Sequence, residues 1–489
     1  MALGRGERQL ARLLVGTLAL LLSSLAGSEH VALDARASAS AAASAADLLA
    51  EGRALRARLG VPGTLRASAF FEQALAAPGS AASGAPPPQL VARAELLEEA
   101  AELQALLRQP KRALARRREA LQLRSRAGGG EIAVSDAVLA YAAMAQHLRD
   151  DGNSSGALEL LARASAALGR DAPRAADKTR AVLLKLESEA LECRGGRAAD
   201  ALAAFERSLA LGAGSTGSAG AAAPRPSQLS SEDLLTRVGL LRRLRASGDA
   251  AVNASALDRR ERASVRELLR RGPWTHPQQL PKEVVRGLST RPWHSVAEHF
   301  PALAPVQALL EAAAGGLRDD LASLRARGRM LRETECINDA ESGEWTWFAT
   351  NGFWLERDAG GCSSADTPRA CELLARIDQL GLVRVIRGSF SVLGPAAHLH
   401  EHCGTTTAQL KMHVGLEVPL DPATGLGCAR IRVANETRRW EAGSVLFFDD
   451  SFQHEVHNDC AVARSVFQLV FDHPDLQRGS SPSTQTSWV

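Results

Sequence analysis

The chain is predicted to be of the α + β class, with a helical first half followed by an antiparallel double-sheet sandwich. Three observations predict it. Residues 1–260 are dominated by Ala, Leu, Arg and Gly, with almost no aromatics, and the helix formers prevail there. Six of the seven tryptophans fall between Trp274 and Trp440, where β-branched residues also enter. Short β-like segments then follow one another with Gly, Pro, Asn or Asp between them and no helical crossover, which argues against a parallel α/β fold. At 489 residues there is room for two or three domains. The formal charge of +3 gives no case for nucleic acid as a partner.

The elements can be justified in order. Arg5, Arg8 and Arg12 precede an apolar run over 13–27, so residues 1–28 read as a cleaved secretory signal or as a retained single-pass anchor. The run is short against the roughly twenty apolar residues that span a bilayer. A cytosolic protein with an apolar start is a third reading. Residues 29–89 mix helical stretches with low complexity and are expected to be partly disordered, with disorder or loose helix most clearly over 77–88. From 90 to 211 the pattern is helical, and Ala113, Ala157 and Ala201 recur at intervals of 44. A small residue lets one helix approach the next, so these positions resemble tetratricopeptide-like helix pairs of long period. An unrelated helical bundle is the alternative. Either way this half is a scaffold or recognition surface. Residues 212–231 are Gly/Ala/Ser/Pro-rich and read as a linker, 232–273 as a helical connector, and 477–489 as a disordered tail. Between 274 and 476, strands are expected over 382–393, 413–420, 429–440, 444–449 and 464–472, with helices over 301–325 and 370–380. A hairpin turn is expected at Asn435-Glu436-Thr437.

Six of the seven cysteines lie in the C-terminal half, and the odd count leaves at least one unpaired. Cys362 and Cys371 flank a short polar loop that a disulfide would close, although both also read as free apolar residues. No C-x2-C pair occurs, which argues against a structural zinc site. Sequons at Asn153, Asn253 and Asn435 are compatible with secretion.

Chemistry concentrates near the C-terminus. His402 and His454 lie about fifty residues apart, and Arg464 follows ten residues after the second. Two imidazoles suit Fe(II) with open positions for a co-substrate and O2, and an arginine presents a planar fork to a dicarboxylate such as 2-oxoglutarate. Such a site ordinarily takes a carboxylate spaced His-x-Asp/Glu, but His402-Cys403-Gly404 lacks it. On a regular strand His400 and His402 share a face while Glu401 points away. Asp449 and Asp450 read as turn groups or as groups that orient an imidazole, and His398, His400 and His457 as structural.

The wording around these residues resembles the aspartyl/asparaginyl β-hydroxylase family. The matching pieces are Phe390-Ser391-Val392-Leu393, His398, His402-Cys403-Gly404, 410–416 and Ile431-Arg432-Val433-Ala434-Asn435-Glu436-Thr437. Trp440, Gly443, 448–456 and, at the domain entrance, Arg291-Pro292-Trp293 complete them, so the likeness covers roughly 274–476. That family has His-x-Gly in place of His-x-Asp. The resemblance implies a double-stranded β-helix (jelly-roll, cupin-like) oxygenase domain behind tetratricopeptide-like repeats and a type II anchor. The catalytic domain would then sit in the lumen of the endoplasmic reticulum, or in a soluble or secreted protein if the leader is cleaved. It implies Fe(II), 2-oxoglutarate and O2, with ascorbate as a supporting reductant. The product would be a β-hydroxylated Asp or Asn in a secretory-pathway protein, with disulfide-rich EGF-like domains as candidate substrates. By position, His402 and His454 would hold iron, Arg464 and Ser391 the distal carboxylate of 2-oxoglutarate, and Lys411 and His413 would face its metal-proximal end. Lys411 departs from the family's arginine, which keeps the charge but loses the fork. Cys362 and Cys371 resemble a disulfide-closed loop of the family with two more residues inside it. The alternatives are a helical adaptor whose sandwich has lost catalysis, or an oxygenase of a different substrate.

Overall fold

The computed structural model describes residues 45–478, apart from 77–85, 108, 129, 131–132, 170–176, 195, 213–223, 249–252, 335, 338–342 and 352–361. The apolar leader at 13–27, most of the 77–88 run, most of the 212–231 linker and nearly all of the 477–489 tail therefore lie outside the described residues. No helix among the described residues is long and apolar enough to cross a membrane. The chain divides into two compact units, residues 1–191 with 203–223 and residues 192–202 with 224–489.

The first unit is helical. Its helices are α1 (Ala45–Ala76), α2 (Pro87–Leu106), α3 (Pro110–Ala127), α4 (Val134–Asp150), α5 (Ser154–Leu168) and nearly all of α6 (Asp177–Glu192). The helix α7 (Ala198–Gly212) contributes residues to both units. Proline opens α2 and α3, where its missing N–H costs nothing. The Asn153 side chain caps α5 by accepting from the Gly156 N–H, so this sequon asparagine serves as a helix cap. Successive helices α1 to α5 pack on one another. Phe71, Leu97 and Leu103 fill one core, and Val138, Leu161 and Leu183 a second. Ala113, Ala157 and Ala201 are all buried, as close helix approach requires.

In the second unit α8 (Ser231–Ala246) and α9 (Ala254–Arg271) lead into α10 (Val296–His299), α11 (Ala304–Ala326) and α12 (Pro368–Leu380), with α13 (Asp475–Arg478) at the end. The strands are β1 (Leu331–Arg332), β2 (Trp345–Ala349), β3 (Val385–Leu393), β4 (His398–His402), β5 (Gln409–Glu417), β6 (Ala429–Val433), β7 (Glu436–Arg439), β8 (Val445–Phe448), β9 (His454–Asn458) and β10 (Arg464–Asp472). They form an antiparallel six-stranded sheet, β1-β2-β3-β10-β5-β8, and an antiparallel four-stranded sheet, β4-β9-β6-β7. Alternation along β10 sends Phe467, Leu469 and Phe471 to a core shared with Leu317 and Leu321 of α11 and Ile377 of α12. Val466, Leu393 and Phe448 point the other way, into a core shared with Leu399, Ile431 and Val456 of the smaller sheet. The larger sheet is thus covered on both faces, and β3 and β10 read as nearly unbroken buried runs.

Two expectations change. The 429–440 segment is a hairpin turning at Ala434-Asn435, with Ala434 at φ 52°, while Glu436 and Thr437 already belong to β7. His400 and His402 do not share a face. A register shift between Leu399 and His402 turns His402 inward beside His454, and leaves His400 next to the outward His398. Disulfides join Cys193 to Cys336, Cys362 to Cys371 and Cys428 to Cys460, and Cys403 is free.

Candidate active site

The inner faces of the two sheets bring the predicted residues together. His402 on β4 and His454 on β9 are direct cross-strand partners, with ring centroids 4.1 Å apart. Nδ1 of His402 lies 2.6 Å from the His400 carbonyl, and Nδ1 of His454 lies 2.9 Å from the Phe452 carbonyl. A carbonyl only accepts, so each Nδ1 carries the proton and each Nε2 keeps its lone pair. This is the tautomer a metal-binding histidine needs, fixed by the backbone rather than by chance rotation. Burial, and after it the neighbouring His402, pushes His454 down to about 3, so its imidazole is neutral.

The missing carboxylate has a physical explanation. A Cβ built on Gly404 would stand 2.5 Å from Oδ2 and 2.9 Å from Oδ1 of Asp450. Asp450, arriving from the β8–β9 turn, fills the space that the third residue of a His-x-Asp motif would use. Its Oδ2 lies 2.6 Å from Lys411 Nζ. Burial works to raise the Asp450 pKa, but Lys411, helped by His454 and His402, outweighs it and holds the carboxyl below its ordinary range. Asp449 differs. Its Oδ1 accepts from the Ser451 backbone N–H at 2.9 Å and from the Ser451 hydroxyl, and burial still pushes it up to about 7. Asp449 is therefore a turn group, as expected, whereas Asp450 belongs to the cluster around the two histidines. Glu401 is occupied elsewhere, by Arg432 and Gln453.

The larger sheet supplies a cationic, dry wall. Arg464 is 2% exposed, and its guanidinium lies 4.3 Å above the Trp440 ring. Nε and Nη1 of Arg464 are buried with no hydrogen-bond partner, and no carboxylate among the described residues pairs with it. Burial alone lowers its pKa to about 9. Lys411 and His413 alternate with Met412 on β5 and so share a face, paired across to Phe448 and Leu446 of β8. His413 is buried, has both ring nitrogens unpartnered, and meets the Phe448 ring edge-on at a centroid distance of 4.8 Å. Burial first, then Lys411, Arg464, His454 and Arg387, pushes its pKa far down, so all four positive or potentially positive groups bear on one point. Ser391 sits opposite Val466 and its Oγ accepts from Trp345 Nε1 at 3.0 Å. Sequence reasoning missed Trp440, Trp345 and Arg387 as contributors. Alternation with Ser389 and Ser391 on β3 was a sufficient signal for Arg387 alone. A groove of about 810 Å³ lined by Arg325, Thr346, Val392 and Glu417 includes none of these site residues.

Comparison with known proteins bears on this geometry. The family described as aspartyl/asparaginyl beta-hydroxylase matches residues 311–474. The aspartyl/asparaginyl beta-hydroxylase of Mus musculus is 35% identical over 206 residues, 41% of this chain and 26% of that protein. Its Homo sapiens counterpart is 36% identical over 206 residues, 41% of this chain and 25% of that protein. The match thus spans about a quarter of those relatives. The ornithine lipid ester-linked acyl 2-hydroxylase of Rhizobium tropici is 35% identical over 100 residues, 20% of this chain and 33% of that protein. A Pseudomonas putida prolyl-4-hydroxylase structure shares 18% identity over 33% of this chain and 86% of that chain, with a TM-score of 0.24, too low to bear on the fold. Ordered motifs, paired inward histidines and sequence relatives agree: the C-terminal domain of this chain belongs to the aspartyl/asparaginyl β-hydroxylase family.

Proposed function

We propose that the chain is an Fe(II)- and 2-oxoglutarate-dependent dioxygenase built on a double-stranded β-helix, and that it hydroxylates the β-carbon of Asp or Asn in secretory-pathway proteins. The observation that carries this reading is one dry compartment holding two imidazoles with Nε2 lone pairs beside a buried arginine whose Nε and Nη1 lack an acceptor. Those groups fit the iron and the dicarboxylate. A buried guanidinium with two N–H-bearing nitrogens left without an acceptor is costly to the free protein, and an incoming carboxylate offsets this with charge-assisted hydrogen bonds. When bound, the iron activates O2, so that 2-oxoglutarate, O2 and a C–H bond become succinate, CO2 and a C–OH bond.

The protein's own groups bind and orient. His402 and His454 offer Nε2 to the metal, their rings held by the two carbonyls. Arg464 takes the distal carboxylate, braced by Trp440, and the Ser391 hydroxyl donates to it while accepting from Trp345. Lys411 neutralises Asp450 and keeps that carboxylate beside the histidines. His413, Phe448 and Trp440 exclude water, which strengthens every charge interaction in the compartment. Three disulfides fit an oxidising compartment, and the 13–27 segment would hold the domain on the lumenal side of the endoplasmic reticulum. The helices at 90–211 would act as tetratricopeptide-like repeats that recognise the protein substrate, EGF-like domains being the leading class. The bacterial lipid hydroxylase among the relatives favours, as a second reading, a non-protein substrate for the same site.

The test is succinate formation by the purified protein with Fe(II), 2-oxoglutarate and ascorbate, offered Asp- or Asn-containing disulfide-looped peptides, with His454→Ala as control. Succinate with a peptide gain of one oxygen, both lost in the control, is the expected result. Succinate without peptide oxidation discards the substrate class, and no succinate from folded, iron-loaded protein discards the enzyme.

A further inference from the structure

The strands that carry His402 and His454 carry a second set of metal-binding side chains on their outward face, and nothing in the proposed reaction uses it. His398 of β4 and His457 of β9 are direct cross-strand partners. Their rings lie nearly parallel, 15° apart at a centroid distance of 3.9 Å. Glu455, two residues before His457 and therefore on the same face, points Oε2 at both rings. That oxygen is 3.7 Å from Nε2 of His398 and 3.8 Å from Nε2 of His457. The other oxygen, Oε1, accepts from Arg432 Nε at 2.8 Å, which fixes the carboxylate without using Oε2. One donor atom from each residue lies within 4.8 Å of the other two.

The spacing is informative. Separations of 3.7 and 3.8 Å are too long for direct hydrogen bonds. Donors around a tetrahedral ion with bonds of about 2.0–2.1 Å are separated by roughly 3.3 Å, so the two Glu455–histidine separations need to close by only a few tenths of an ångström, while one of the two stacked rings turns to bring its Nε2 lone pair onto the same point. Two imidazoles and one carboxylate are ligands that zinc accepts, with a fourth position left to water. Side-chain exposures of 25%, 20% and 25% leave the three groups reachable from solvent yet packed enough to stay in place. Cysteine spacing argued against a structural zinc site, but this set uses no cysteine.

We propose that His398, Glu455 and His457 bind Zn(II) on the outer face of the smaller sheet, separate from the inward histidine pair. Zinc there clamps β4 to β9. The same two strands set the His402–His454 spacing, so the clamp steadies the inward pair from behind.

The experiment measures zinc stoichiometry and affinity of the chelator-stripped whole protein by competition with a chromogenic chelator. Three forms are compared: wild type, a His402→Ala/His454→Ala variant, and a His398→Gln/His457→Gln variant. The inward variant should retain one zinc and the outward variant should lose it, with affinity falling at least a hundredfold at that site. Glu455→Gln guards against a folding artefact, since it keeps the shape and the Arg432 contact region. It should weaken the site about tenfold and leave the thermal transition of the zinc-free protein within a few degrees of wild type. Co(II) in the inward variant should give the intense visible bands of a tetrahedral site. Loss of all zinc from the inward variant, or undiminished zinc in the outward variant, overturns the proposal.

Discussion

Two histidine pairs sit within five residues of each other on the same two strands, and their surroundings give them different chemistry. His402 and His454 face inward, each with Nδ1 against a backbone carbonyl, in a compartment walled by Phe448, His413 and the buried Arg464. His398 and His457 face outward, stack on one another and share a solvent-reachable carboxylate. One residue of register decides which is which. The shift between Leu399 and His402 breaks the alternation that would have put His398, His400 and His402 on one face. The chemistry open to a histidine pair is thus set by what its second nitrogen meets and by how dry its face is, not by its spacing in the chain.

Substitutions on the inward side should break this contrast most sharply. Arg464→Met should lower kcat/KM for 2-oxoglutarate about a hundredfold or more, because a bidentate charged contact is lost. The same change should raise the melting temperature of the substrate-free protein, since it removes a buried cation whose Nε and Nη1 have no acceptor. Steady-state kinetics and thermal melts read the two opposite signs, and equal melting with full activity would show that Arg464 does not meet the dicarboxylate. Lys411→Met comes next. It strands the buried Asp450 carboxylate, and urea melts should show a loss of about 3 kcal/mol. If stability is unchanged, Asp450 draws its partner from elsewhere.

A third histidine environment sharpens the comparison in the helical unit. His147 is buried on α4, and burial, with Arg117 and Arg149 adding to it, pushes its pKa down to about 3. The unfolded chain takes up that proton near 6.5, while the folded one stays neutral until far lower pH. Stability is therefore full above about pH 6.5 and falls as the pH drops towards 3, with about 2 kcal/mol gone by pH 5. Comparing urea melts at pH 7 and pH 5 for wild type and His147→Leu should show the loss in the first and a much smaller one in the second. The smallest effect is expected at Gly404. Gly404→Ala places a methyl 2.5 Å from Asp450 Oδ2 and should cost about 1 kcal/mol together with reduced turnover. Wild-type melting and turnover would show that Asp450 is free to move aside.

Much of the second unit was legible from local pattern. The 464–472 strand was expected at its observed bounds, and α11 and α12 begin and end within three residues of their expected positions. The Cys362–Cys371 loop closure was visible because both residues lie close in sequence. The bridges from Cys193 to Cys336 and from Cys428 to Cys460 were not, since separations of 143 and 32 residues leave no local trace. His402, His454, Arg464, Lys411, His413 and Ser391 were named from their wording, and they do share the inward faces. Asp450 was placed near the ligand strand, but its occupation of the Gly404 position was hidden. A carboxylate missing from one strand and supplied by a turn elsewhere is a relation between two backbones.

The sequence by itself determined the class of each half, the order of most β segments, and the residue types able to hold iron and a dicarboxylate. Those properties are local, because side-chain periodicity and turn chemistry act over a few residues. The tertiary structure alone decided which histidines look inward, which carboxylate fills the space beside Gly404, and that Trp440 roofs Arg464. These depend on strand register and on one irregularity in it, which exist only when two strands meet, so no single stretch of chain encodes them.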